Sequence, residues 1–385
     1  MAEPDRGTLA IVGASARSAA QAALRAGIRV VTADLFADAD LVRHVPATRI
    51  AHYPADLLPW LREQQVSAWM YTGALENSPR LVDEMAQVAP LWGNAGRALR
   101  AVRSPTRLAA CGLASNLLFP KTAHSARGIP TDGTWLRKPL RGSNGAGIEP
   151  WTGQHVTSRQ RVYWQRRVSG TPCAALYVAS AGTSRLLGVT RQLIGESWTG
   201  AKPFQYAGTL GPWPTTPSQH DQITRIGQTL AGVFALQGLF GVDLIIDGDR
   251  VWIIEVNPRY TAAAEVVERF SGLNPLVEHM VACGAKPQST ALPAAAGQFH
   301  GKAILYATRD AEVTEEFFGW AIRQSGPTLD AALADIPPAG MQLRAGHPVL
   351  TVLASGESLA IVEAELKARV DKVNLAISRK RRGEE

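Results

Sequence analysis

Four polar residues in one short stretch of this 385-residue chain have the types and spacing for chemistry on anions: Asp243, Glu255, Asn257 and Arg259. They sit in Gly241-Val242-Asp243-Leu244-Ile245-Ile246-Asp247-Gly248-Asp249-Arg250-Val251-Trp252-Ile253-Ile254-Glu255-Val256-Asn257-Pro258-Arg259, where Asp-Gly-Asp separates two β-rich runs. That pattern predicts a hairpin. A three-residue loop, Gly248–Arg250, would set Asp243 opposite Glu255, and strand alternation would turn Asn257 the same way as Glu255. A one-residue change in loop length would offset the pair. Two carboxylates side by side are costly to ionise in a semi-buried place unless cations neutralise them. Hard oxygen ligands that leave room for phosphate oxygens and water suit Mg²⁺. Arg259, just beyond, is placed to meet an anion that the metal also touches. Taken alone, the hairpin fits a buried salt-bridge network equally well.

A second constellation lies about 105 residues upstream. Lys138 precedes Gly142-Ser143-Asn144-Gly145-Ala146-Gly147 in a chain that has 8 lysines against 32 arginines, so a lysine in a motif stands out. Glycine supplies unusual dihedrals and lets backbone N–H groups approach phosphates closely. An ammonium on the preceding strand can neutralise phosphate charge. The loop lacks the G-x-x-x-x-G-K-[ST] spacing of a P-loop, and alone it reads as a flexible turn.

The elements that must hold these residues are legible from the apolar pattern. Thr8–Val12 is a strand, Gly13-Ala14 a turn and Ser15 a helix N-cap. Ala16, Ala19, Ala20, Ala23 and Leu24 form a small-residue stripe, and Ile28–Ala33 returns as a parallel strand. Asp34 ends that strand, as in a dinucleotide fingerprint, but the G-x-G-x-x-G glycines are missing, which favours a structural Rossmann-like unit. A further strand, Ala68–Thr72, leads to a closure near Trp92-Gly93-Asn94. Strands are expected at Arg161–Val168, Ala174–Ala179 and Leu186–Leu193, a helix at Gln219–Leu236, and the linker ALPAAAG before a last segment. That segment carries strands near Lys302–Ala307 and Pro348–Ala354 and a helix from Leu359 to Ile377.

Length predicts two or three domains, and 46% hydrophobic with 19% charged residues excludes a mainly disordered chain. No apolar run approaches a membrane span, and MAEPDRG lacks a signal-peptide layout, so the expected location is the cytoplasm. Cys111, Cys173 and Cys283 are too scattered for a disulfide framework or zinc site. Net charge +7 suits anionic small molecules as well as nucleic acid, but no basic-aromatic motif supports nucleic acid. The run Arg379–Arg382 reads as a solvated tail.

Together these motifs resemble the ATP-grasp superfamily, over roughly Arg97 to Cys283. The resemblance implies an α/β chain with an ATP-grasp fold, two α+β subdomains clasping ATP. A Rossmann-like N-terminal domain precedes it and a small α+β C-terminal domain follows. The implied bounds are 1–96, 97–286 (lid roughly 118–168) and 287–385. By this resemblance Asp243, Glu255 and Asn257 hold Mg²⁺, two ions in all, and Arg259 and Lys138 are catalytic. ATP contacts fall to Arg107, Lys138, Gly142, Ser143, Asn144, Gly145, Gly147, Gln165, Arg166 and Val168. Two departures stand out. Arg107 occupies the place of a lysine, and the hinge Trp164–Gly170 carries Gln165 and two arginines where acidic residues are usual.

The implied chemistry activates a carboxylate as an acyl phosphate, which an amine then attacks. Substrate contacts are expected from Arg191-Gln192, Tyr206 and Tyr260. The partners are a small-molecule carboxylic acid and an amine, with no nucleic acid and no membrane. Family members are often dimers, which leaves a homodimer open. The C-terminal segment around Ala339-Gly340 and Arg344–Pro348 loosely resembles the end of ATP-grasp proteins associated with tetrahydromethanopterin or methanofuran cofactor genes. A catalytically degenerate nucleotide-binding or scaffold protein is the alternative.

Overall fold

The computed structural model describes residues 7–154, 161–286 and 298–378. The linker ALPAAAG and the basic run Arg379–Arg382 lie outside the described residues.

The N-terminal unit is a parallel sheet in the order Ala47–Arg49, Val30–Asp34, Leu9–Val12, Ala68–Tyr71. Leu9–Val12 and Ala68–Tyr71 are buried throughout, as unbroken apolar runs covered on both faces should be. The helix Arg17–Arg25 buries Ala19, Ala20, Ala22 and Ala23, small side chains that let it lie close to its neighbours. Ser15 is not its cap. Ala16 is the N-cap residue, and its N–H donates to Asp34 Oδ2 at 2.9 Å. Asp34 Oδ1 also accepts from Phe36 and Ala37 at 3.0 and 2.6 Å. The acid at the strand end therefore satisfies orphan backbone donors, which explains a fingerprint-like Asp without the glycines of a dinucleotide site.

The centre of the molecule is an eight-stranded sheet. Its strand order is Arg250–Asn257, Gly238–Asp247, Thr171–Ser180, Thr183–Ile194, Tyr206–Gly211, Phe299–Tyr306, Pro348–Gly356, Leu333–Ala334, with every neighbour antiparallel. Three strands that follow residue 298 thus extend this sheet, while Ala311–Glu312 and Gln342–Leu343 pair separately, and the helix Leu359–Ser378 covers the extension with Val362, Leu366, Val370 and Val373. One face of the sheet presents Leu176, Val178 and Leu239 to the Ala stripe of Arg17–Arg25 and to Val267 and Leu276. The opposite face presents Ala175, Tyr177, Phe240 and Val242 to the helix Pro217–Phe234. That helix begins with a capping box in which Thr216 and Gln219 exchange side-chain and backbone bonds.

A smaller sheet stands apart: Thr122–Ala123, Val162–Arg166, Trp135–Pro139, Glu149–Pro150. It carries Lys138 and leads into the glycine-rich loop. The cleft between this sheet and the edge of the central one is where the two sequence constellations meet. Among the described residues no helix is long and apolar enough to cross a membrane.

Candidate active site

The hairpin that brings the acids together differs from the simplest expectation in an instructive way. Its loop has two residues, since Asp247 pairs with Arg250. An unbroken register from that turn would set Asp243 opposite Ile254 and throw Glu255 onto the other face. Instead the register shifts after Leu244 pairs with Ile253, so Ile254 is the extra residue of a β-bulge and Asp243 pairs with Glu255. The carboxylates share a face because of the bulge, and loop length alone would have separated them.

Asp243 is gripped on both oxygens. Gln192 Nε2 donates to Oδ1 at 2.9 Å and Asn257 Nδ2 to Oδ2 at 3.3 Å. Burial, with the nearby Glu255 charge adding to it, pushes the Asp243 carboxyl up to about 7. A cation bound between the two acids would relieve that strain. Asn257 Oδ1 accepts from Arg259 at 3.1 Å, and the same guanidinium nitrogen is 2.7 Å from Glu76 Oε1. Burial opposes the charge on Arg259, but Glu76 outweighs it and raises the guanidinium further. For Glu76 burial likewise works against ionisation, and Arg259 holds the carboxyl below its usual range. Glu76 is buried and Arg259 only 13% exposed, which demands that neither charge be left alone.

Across the cleft, Lys138 is buried on its strand, donates to Gln165 Oε1 at 3.0 Å and lies 5.8 Å from the centre of the Tyr163 ring. The cleft is lined by Lys138, Tyr163, Arg103, Ile254, Glu255 and the loop residues Gly142, Ser143, Asn144 and Gly145. Gly145 has φ +71, and a Cβ there would meet Phe204 O at 1.9 Å, so only glycine lets the loop press against that backbone. Asn144 Nδ2 donates to Tyr306 Oη at 3.0 Å and anchors the loop tip to the central sheet.

Other residues expected at the site lie elsewhere in or around it. Gln165 is buried with its side chain on Lys138, whereas Arg166 is exposed and Val168 half-buried in the strand-to-loop exit beside it. Gly147, with φ +77, completes the loop without lining the cleft. Arg107 is exposed on the helix Pro105–Ala114 and does not line the cleft. Arg191 alternates with Gln192 along its strand, so it turns to the face opposite Asp243, where it pairs with Glu363 at 3.0 Å. Tyr260 is buried with its hydroxyl 3.2 Å from Ser18. Tyr206 shares a 2.5 Å hydrogen bond with Thr209 on the Gln192 side of the sheet.

Sequence reasoning missed Glu76, Asn77 and Arg103. The only available signal was composition: an acid and an amide immediately after the Ala68–Thr72 strand end, where ligand sites of open parallel sheets collect.

The oxygens that could serve a divalent cation here are those of Asp243, Glu255 and the Asn257 amide. Among the described residues no three His, Cys, Asp or Glu side chains gather at one point. Such a set fits a hard cation that keeps water and phosphate oxygens among its ligands, the habit of Mg²⁺.

An antiparallel sheet with paired acids on a bulged hairpin thus faces a lysine and a glycine-rich loop across one cleft. Residues 111–263 match the family model of the ATP-grasp domain. The fold agrees over nearly the whole chain. N5-carboxyaminoimidazole ribonucleotide synthetase in its ADP complex superposes with a TM-score of 0.69 at 13% identity, covering 97% of this chain and 98% of that one. The L-amino acid ligase of Bacillus licheniformis gives 0.67 at 14%, covering 95% and 97%. A formate-dependent phosphoribosylglycinamide formyltransferase of Acinetobacter baumannii is 29% identical over 157 residues, 40% of this chain and 37% of that protein. The sequence match thus spans little more than a third of that curated relative. Residues 111–263 are similar to the ATP-grasp domain, and the fold of the chain is that of these solved structures.

Proposed function

We propose that the protein is an ATP-dependent carboxylate–amine ligase. The observation that carries this reading is the facing pair Asp243–Glu255, with Asn257 and Arg259, across one cleft from Lys138 and the glycine loop. Asp243, Glu255 and the Asn257 amide would hold Mg²⁺, two ions in the family's manner, which when bound neutralises and orients the phosphates. Phosphoryl transfer asks for positioning and charge neutralisation more than for a protein nucleophile. Lys138 offsets charge on the α- or β-phosphate. Arg259, fixed by Glu76 and Asn257, meets the transferred phosphoryl group. A carboxylate oxygen attacks the γ-phosphorus, the bond to ADP breaks, and the acyl phosphate forms. The amine then attacks the acyl carbon, and phosphate leaves with the original carboxylate oxygen. Seating of the loop by Asn144 on Tyr306 keeps water from the acyl phosphate.

For the substrate side, Gln192 and Tyr206 lie on the carboxylate face of the sheet, and they support an acceptor position beside Asp243. The loose likeness of the C-terminal segment supports a role in ligating an amino acid onto a one-carbon cofactor precursor of the tetrahydromethanopterin or methanofuran kind. The second reading, a degenerate nucleotide-binding scaffold, draws on the exposed position of Arg107. A test separates them. Carboxylic acids labelled with oxygen-18, offered with amines and MgATP, should give ADP, an amide and labelled phosphate for the right pair. Nucleotide binding with no labelled phosphate for any acid in a broad panel would favour the scaffold.

A further inference from the structure

We propose that Arg103 is a positioning residue that seats the glycine-rich lid loop by tying it at once to Glu255 and to the N-terminal unit. The inference rests on the ligase reading for its meaning, but not for its test. Arg103 stands at the C-terminal end of the helix Gly96–Val102, between the N-terminal unit and the grasp domain. Its guanidinium reaches three separate elements. Nη1 is hydrogen-bonded to Glu255 Oε1 on the bulged hairpin. Nη2 donates to Asn77 Oδ1 at 2.9 Å, after the Ala68–Tyr71 strand, and to the carbonyl of Gly142 at 3.0 Å, at the root of the lid loop. Asn77 Nδ2 donates to that same carbonyl at 3.3 Å, so the loop root is held by two donors from outside the lid.

The chemistry of the side chain explains why an arginine does this. A planar guanidinium presents five donors in a fixed fork and can span acceptors in different directions, whereas an ammonium is a compact charge on a flexible stem. Arg103 is only 13% exposed, so its bonds to Asn77 and Gly142 are shielded, while Glu255, at 38%, keeps one side open to solvent. The glycines that follow have little side-chain packing of their own. At the tip of the loop Asn144 on Tyr306 is the matching anchor. The lid loop is thus pinned at its root by Arg103 and at its tip by Asn144, with Glu255 and the root sharing one cation. A change at Glu255 is felt by the loop, and the reverse holds as well.

Amide hydrogen exchange on the full chain without nucleotide reads the latch directly. In Arg103→Met the peptide covering Gly142–Ile148 should exchange about tenfold faster (~1.4 kcal/mol), while Leu9–Val12 and Ala68–Tyr71 keep wild-type protection. Arg103→Lys should recover part of the protection, and Asn77→Ala, which leaves the Glu255 bond in place, should move the same peptide by less. Unchanged exchange in Gly142–Ile148 would overturn the proposal, and so would an equal rise in all three regions, which marks ordinary destabilisation. Binding of MgATP, measured separately by calorimetry, should weaken in Arg103→Met. Wild type that binds no nucleotide would defeat the ligase reading and leave the exchange result to decide the latch.

Discussion

Asp243→Asn should stabilise the ligand-free protein, and only in a defined pH range. The Asp243 carboxyl is pushed from an ordinary 3.8 to about 7 by burial and by Glu255. The folded protein therefore holds a proton on this group that the unfolded chain has released. Stability must fall as pH rises from about 4 to about 7 and level off above. At about 1.4 kcal/mol per unit, the site costs the fold ~4 kcal/mol by pH 8. Asparagine keeps the shape and removes the charge. Gln192 can turn its amide to suit, so the main change is electrostatic. Asp40, which burial pushes to about 6, titrates in the same window, and the informative quantity is therefore the difference between variant and wild type. Urea unfolding at closely spaced pH values should show that difference near zero at pH 4 and growing to a few kcal/mol at pH 8 in favour of the variant. Added MgATP should stabilise wild type at pH 8 and leave Asp243→Asn nearly unmoved. A variant that is destabilised equally at every pH would refute the reasoning, since it would mean that Asp243 matters for its hydrogen bonds and not for its charge.

Glu76→Gln leaves the largely enclosed Arg259 cation without its main counter-charge, and unfolding free energy should drop by about 3 kcal/mol. Denaturant titration would read the loss, and a change under 1 kcal/mol would show the pair to be dispensable. Gly145→Ala forces a side chain into Phe204 O and disfavours φ +71, so the loop must lift. Its calorimetric affinity for MgATP should fall by at least tenfold, with melting temperature in the absence of ligand nearly unchanged. Lys138→Ala should weaken MgATP binding strongly and Arg107→Ala by less than fivefold (under ~1 kcal/mol), because only the first side chain lines the cleft. The reverse ranking would place Arg107 on the nucleotide.

Much of the architecture was legible in the residues. Two β-rich runs around Asp-Gly-Asp predict the hairpin, and the apolar runs Thr8–Val12 and Ala68–Thr72 predict the two central strands of the N-terminal sheet. What stayed hidden has a common physical cause. The bulge at Ile254 is a backbone event with no side-chain signature among Ile253, Ile254 and Glu255, so the sequence leaves the loop length and the Asp243–Glu255 register open. Arg103 and Glu76 act over more than 150 residues of sequence separation, and nothing local distinguishes Arg103 from Arg107 one turn later. Arg191 and Gln192 are neighbours in sequence but face opposite sides of a strand, and only the register shows which one meets Asp243. Asp34 stands where a dinucleotide fingerprint puts its acid, and as the missing glycines imply it serves the fold, accepting from the Ala16 N–H.

The central claim is that Asp243, Glu255 and Asn257 hold a cation that brings ATP to this cleft. Thermal unfolding of wild type and Glu255→Gln, with ATP and with or without Mg²⁺, tests it most directly. Ligand at about 100 times its dissociation constant should stabilise wild type by ~2.7 kcal/mol, a shift of a few degrees for a chain of this size. The account predicts a shift that needs Mg²⁺ and shrinks in Glu255→Gln. An equal shift in the two proteins, or none with any nucleoside triphosphate, would contradict it.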